Sequence, residues 1–131
     1  NSPEFQDLKL LVQTLHAAGA DVQYVSIPSN GRWYDHIGIK KDRREAVYKK
    51  IHSTVVDNGG KIYDLTNKDY EKYVISDAVH IGWKGWVYVD QQIARHMDGH
   101  APKNHEVDYS KNKPPHKHHN NRQDDQHQGN K

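Results

Sequence analysis

Apolar side chains recur at helical spacing at the start of the chain, where Phe5, Leu8, Leu11, Val12 and Leu15 of NSPEFQDLKLLVQTLHAAGAD share one face. Ser2 as N-cap, Pro3 in the first turn, Glu4 and Asp7 near the positive end of the helix dipole, and Gly19 beyond the stripe predict a helix between those limits. The period then changes to two. In DVQYVSIP, Val22, Tyr24 and Ser26 alternate with Gln23, Val25 and Ile27 until Pro28, which predicts a short strand apolar enough to be buried on both faces. SNGRWYDHIGIKKD keeps neither period, and its Asn30-Gly31 pair predicts a long loop opened by a turn. Helical spacing returns with Val47, Ile51 and Val55, over about Arg43 to Asp57, and Asn58-Gly59-Gly60 closes it. KIYDLT reads as a second strand, NKDYEKYVI as a short polar helix or turn, and WVYVDQQIARHM as a last helix.

Helix, strand, helix, strand, helix with short connections implies an α/β fold whose strands run parallel through a right-handed crossover. Two strands alone make a weak parallel sheet. The expectation is therefore the C-terminal part of a larger three-layer α/β/α domain.

Composition narrows the folded region. Between Ala101 and Lys131 only Val107 and Tyr109 can anchor the chain, so residues 98–131 are expected to form a polar, His-rich disordered tail behind a folded unit of residues 1–97. Six of the eleven histidines fall in that tail, including HKHH at 116–119. Such a cluster binds transition metals weakly and lacks the fixed spacing of a structural site, so neither a metal site nor a cofactor is expected. The net charge of +2 with interspersed acids gives no sign of a nucleic-acid groove. Cysteine is absent, which excludes disulfides, thiolate metal sites and a cysteine nucleophile within this chain. No apolar run reaches the length of a membrane span. Lys40, Lys41, Arg43 and Arg44 read as a solvated basic helix face, with attraction to polymer phosphates as the functional alternative. Tyr63, Tyr70 and Tyr73 read as packing residues.

The stretch that carries chemistry is SDAVHIGWKGW, residues 76–86. Sites in open α/β sheets gather in loops at the carboxyl ends of the strands, and two loops qualify: PSNGRWYDHIG and the one ending in Asp77-Ala78-Val79-His80. Parallel neighbouring strands bring both to one edge. An Asp-x-x-His pair suits acyl transfer, in which the imidazole takes a hydroxyl proton and the carboxylate fixes its tautomer. The glycines allow close packing, and Trp83 and Trp86 are placed to wall the pair from water. The other reading stays open: Asp77 caps the last helix and His80 is structural.

SDAVHIGWKGWVYVD closely resembles the signature near the C-terminus of the DltD family of Gram-positive bacteria. NSPEFQDLKLLVQTL and IPSNGRWYDHIG resemble two further blocks of that family in the same order, so the resemblance runs from about Asn1 to Met97. It implies an SGNH-hydrolase-like, flavodoxin-like α/β/α domain acting in D-alanylation of lipoteichoic acid. The setting implied is the outer face of the cytoplasmic membrane, with an N-terminal anchor belonging to the longer parent. Carried over by position, Asp77 becomes the orienting acid and His80 the general base of a Ser-His-Asp triad. Asn30, Trp33, Tyr34 and Asp35 become substrate contacts, against the plainer readings of packing for Trp33 and Tyr34 and a turn for Asn30. The implied partners are lipoteichoic acid, a D-alanyl donor and other proteins of the pathway. The family's nucleophilic serine has no counterpart: Ser2, Ser26, Ser29, Ser53, Ser76 and Ser110 all lack its glycine-serine turn. This soluble chain is thus expected to be inactive alone, as the C-terminal portion of an acyltransferase or esterase. The alternative is a non-catalytic module that binds the D-alanylation machinery or an anionic cell-wall polymer.

Overall fold

Neighbouring residues of a strand point to opposite faces, and Ile62 and Tyr63 each sit in a different apolar cluster. The computed structural model of the chain describes residues 2–103 and 107–115. Its elements are α1 (Pro3–Ala17), β1 (Gln23–Ser26), α2 (Gly31–His36), α3 (Lys41–Val56), β2 (Lys61–Asp64), a 3-10 turn (Thr66–Lys68) and α4 (Trp83–Met97). β1 and β2 pair in parallel, from Gln23 opposite Lys61 to Ser26 opposite Asp64. On one face Ile62 packs with Val12 of α1 and Val55 of α3, flanked by Leu8, Tyr24 and Val56. On the other, Tyr63 and Leu65 pack with Val89 of α4, flanked by Ile81 and Tyr88. Helices therefore cover both faces of a parallel sheet, the α/β arrangement expected. Full burial of Val12, Val55 and Ile62 stabilises this sandwich by roughly 1.5–3 kcal/mol per side chain. No helix among the described residues is long and apolar enough to cross a membrane.

Several expectations change, among them those for Leu11 and Val47, which are exposed rather than core-facing. The stretch expected to be one long loop contains α2, because Asn30 is its N-cap and accepts the Trp33 amide at 3.3 Å. Gly31 serves close approach rather than a turn: a Cβ there would lie 2.8 Å from the Tyr70 ring. β1 is not buried on both faces, since Val25 and Ile27 are exposed beside a single paired neighbour. Arg44 leaves the solvated basic face and is buried among acceptors. Tyr73, unlike the buried Tyr63 and Tyr70, is exposed with φ of 68° and stacks on Trp83 at 5.8 Å.

The C-terminal stretch 107–115 runs back along the domain. Tyr109 shares a hydroxyl hydrogen bond with Thr66, and Asn112 is buried against Asp69. The HKHH cluster at 116–119 lies outside the described residues.

Candidate active-site edge

Residues 75–81 close into a tight hairpin. Ile75 and Ile81 form an antiparallel bridge, and the Ser76 amide donates to the His80 carbonyl at 2.8 Å. Below it, the Gly82 amide donates to the Val74 carbonyl at 2.8 Å. This closure is what the two glycines permit. A Cβ on Gly82 would run into the Tyr73 carbonyl, and one on Gly85 into the Val74 carbonyl and the Ile81 side chain. The base of the hairpin is clamped by Glu71, which accepts from Lys68 of the 3-10 turn and from Lys84 and Tyr88 of α4. Burial works to raise the Glu71 pKa, but these three donors hold it down to about 2.

At the hairpin tip Asp77 binds in two directions. Oδ1 accepts the Val79 and His80 amides at 3.0 and 2.9 Å, and Oδ2 lies 2.7 Å from His80 Nδ1. Those two amides, with the imidazole, hold the carboxyl down to about 2. An ionised carboxylate only accepts, so the proton of a neutral His80 ring sits on Nδ1 and Nε2 keeps its lone pair. Asp77 does not cap the last helix: α4 starts from Gly82, which supplies no side-chain cap. Nor do the tryptophans wall the pair. The His80 and Asp77 side chains are 78% and 58% exposed, and Trp83 is 65% exposed, because α4 turns Gly85, Val89 and Gln92 inward instead.

The two loops meet as expected of neighbouring parallel strands. The Asn30 amide donates to the Ala78 carbonyl at 2.9 Å and its Nδ2 to the Asp77 carbonyl at 2.8 Å. Of the four residues named as substrate contacts, Asn30 is the one hydrogen-bonded to the hairpin. Trp33 is exposed on α2. Tyr34 lines a separate cleft of about 260 Å³ with Arg44, Val47 and Tyr48. Asp35 receives Arg44 Nη1 at 2.7 Å and the Tyr70 hydroxyl at 2.6 Å. Burial acts to raise its pKa, and Tyr70 and Arg44 together bring it below the usual value.

Sequence reasoning missed the frame beneath these loops. Arg44 donates to Asp69 at 3.1 Å, to Tyr70 at 2.8 Å and to the Ile39 carbonyl at 2.6 Å, as well as to Asp35. Its partners sit on separate elements, so spacing carried no signal. A second acid–imidazole pair escaped for the same reason: His52 Nδ1 lies 2.8 Å from the fully buried Asp64, whose other oxygen takes the Thr66 amide. Ser76 Oγ donates to the His80 main-chain carbonyl at 3.1 Å and Ser29 offers its amide to the Tyr48 hydroxyl. No hydroxyl among the described residues bonds the His80 ring. Among those residues, too, no three His, Asp or Glu side chains group as metal ligands.

These features define a class: a small α/β domain displaying a carboxylate-oriented imidazole where two loops meet beyond the carboxyl ends of its parallel strands. The chain belongs to the DltD family, whose model, described as DltD protein, matches residues 1–98. It is 80% identical over 112 residues to Protein DltD of Staphylococcus aureus (strain NCTC 8325 / PS 47), covering 86% of this chain and 28% of that protein. It is 42% identical over 92 residues to Protein DltD of Bacillus subtilis (strain 168), covering 70% of the chain and 24% of the relative. With Protein DltD of Lacticaseibacillus rhamnosus it shares 29% identity over 93 residues, 70% of the chain and 22% of the relative. The chain thus spans about a quarter of the length of the curated relatives it matches, from 22% to 28%.

Proposed function

We propose that this chain is the C-terminal portion, centred on residues 1–97, of an SGNH-hydrolase-like protein that transfers or hydrolyses D-alanyl esters in lipoteichoic acid D-alanylation. The observation that carries the reading is the Asp77–His80 contact of 2.7 Å, with Nε2 left facing solvent. The nucleophilic serine belongs to the longer protein. Its Oγ attacks the D-alanyl carbonyl carbon while its proton passes to His80 Nε2, and Asp77 steadies the imidazolium. The tetrahedral intermediate collapses by breaking the bond to the leaving group, which takes the proton from His80. In the second half a polymer hydroxyl, or water, gives its proton to His80 and its oxygen to the acyl carbon; the acyl–Oγ bond then breaks and serine takes the proton back from His80. Asn30, Trp33, Tyr34 and Asp35 are assigned to the substrate side, Asn30 by holding the Asp77 peptide. The protein works on the outer face of the membrane, tethered by an anchor in its N-terminal region and in contact with other proteins of the pathway.

The exposed aromatics Trp33, Tyr73, Trp83 and Trp86 favour a second reading, a module that binds the machinery or an anionic polymer without catalysis. D-alanine release from D-alanylated lipoteichoic acid separates the two. In the complete protein, His80→Ala abolishes release without unfolding if His80 is the base. Full activity in that variant, with loss on Trp33→Ala, establishes the binding module.

A further inference from the structure

The family match ends at residue 98, yet the chain beyond it is tied back to the domain through Lys103, Asp108, Tyr109 and Asn112. Tyr109 bonds Thr66 just past β2, and Asn67 Nδ2 reaches the Asp108 carbonyl at 3.3 Å. Three residues further on, Asn112 is only 5% exposed and donates Nδ2 to Asp69 Oδ1 at 2.7 Å. Asp69 is itself buried, and among the described residues Asn112 is the one hydrogen-bond donor to that oxygen; Oδ2 takes Arg44.

Asp69 is where the frame joins the site. Its main-chain carbonyl accepts the Gly31 amide at 2.8 Å, fixing the start of α2, while Arg44 and Tyr70 grip Asp35 near the other end. Asn30, the N-cap of the same short helix, holds the Asp77 and Ala78 carbonyls. Tight packing makes this path stiff, since the Gly31 Cα sits against Tyr70 with no room for a side chain. Burial raises the Asp69 pKa, and the Asn112 hydrogen bond opposes it together with the charge and hydrogen bond of Arg44. Without Asn112 one oxygen of a buried carboxylate loses its donor, and the segment carrying the Gly31 acceptor is freed to shift.

We propose that residues 107–115 brace the candidate site from outside, with Asn112 a positioning residue that acts on Asp77 and His80 through Asp69, Gly31 and Asn30. The consequence for catalysis rests on the acid–base reading of His80, but the mechanical link does not. It is tested on the full 131-residue chain by amide hydrogen exchange and by long-range 1H–15N spectra of the His80 ring. In Asn112→Ala the Asn30 and Gly31 amides are expected to exchange roughly tenfold faster, the size of one lost hydrogen bond to a charged group. The Leu65 amide, bonded to Ser26 at the sheet, stays protected. The neutral His80 ring changes from a single Nδ1–H form to a mixture of tautomers, and Asn112→Ser, which keeps a donor, restores part of both signals. Unchanged exchange at Asn30 and Gly31, an unchanged tautomer, or equal acceleration at Leu65 overturns the proposal. Should Asn112→Ala unfold, Asn112→Gln misplaces the same donor without removing it, and the Asn30-to-Leu65 comparison decides. Because no turnover is measured, the brace can fail while His80 remains the base, or hold while His80 proves non-catalytic.

Discussion

Asp77 holds His80 twice, at the ring through Oδ2 and at the main chain through Oδ1, so one carboxylate both shapes the turn and aims the imidazole. Asn at 77 separates the two tasks. Its carbonyl oxygen still accepts the Val79 and His80 amides, so the hairpin survives. Its NH₂ then faces Nδ1 and drives the ring proton to Nε2, where the base is needed. In the complete protein Asp77→Asn is expected to lower kcat for D-alanyl release by about 10³–10⁴, with melting temperature unchanged. Turnover within tenfold of wild type would show that the carboxylate does not set the tautomer.

The same contacts make a pH prediction. The folded pKa of Asp77 lies at about 2, below its ordinary 3.8. A depressed acid contributes fully above the unfolded value, and that contribution is lost only as pH falls through the folded one. The aim of the His80 ring is therefore expected to persist to about pH 3, and acid loss of activity to track imidazole protonation instead. Carboxyl 13C shifts of Asp77 followed by NMR check this directly. A titration step near pH 4 contradicts it.

What the sequence revealed was what is local. The α1 stripe of Phe5, Leu8, Leu11, Val12 and Leu15 was legible in part, since Val12 is buried and Leu8 packs beside it while Leu11 is exposed, and the hairpin was legible because its acid, base and glycines are contiguous. What it hid was non-local or ambiguous. Asn30-Gly31 carries the same letters as a turn, and only the packing of Tyr70 on Gly31 shows why glycine stands there. Arg44 reads as one of four surface cations until Asp35, Asp69 and Tyr70 converge on it from other parts of the chain. Asn112 was hidden more deeply, since a lone polar residue in a polar segment gives no periodic signal. Trp83 and Trp86 misled in the opposite sense, because bulk in sequence does not say which side of a helix faces in.

Gly82 and Gly85 give a stability prediction that needs no assay of function. Alanine at either position must push back main-chain carbonyls, those of Tyr73 and Val74, rather than flexible side-chain ends. Each change is expected to cost about 1–3 kcal/mol in urea unfolding, the usual penalty of overpacking. Since the hairpin is built on this close approach, Asn30 and Ala78 amide resonances are expected to shift in both variants. A neutral effect at both sites would mean that the hairpin base is looser than its contacts imply.

Arg44→Met tests the frame itself. The side chain keeps its apolar length but withdraws the donors from Asp69, Tyr70, Asp35 and the Ile39 carbonyl. Asp69 is then a buried carboxylate with Asn112, among the described residues, as its one side-chain donor, and breaking a buried pair from one side costs about 3–5 kcal/mol. The pH sign follows from burial, which already raises the Asp69 pKa and raises it further without the guanidinium. An acid with a raised folded pKa takes up its proton more readily when folded, so stability falls as pH rises from its unfolded to its folded value. The deficit of Arg44→Met relative to wild type is therefore expected to be largest near neutral pH and to narrow on acidification towards about pH 4. Chemical denaturation at a series of pH values measures it. A deficit that stays constant would assign the loss to packing rather than to the stranded Asp69 charge, and Arg44→Lys, which keeps the charge but not the planar fork, would then behave like wild type instead of falling between the two.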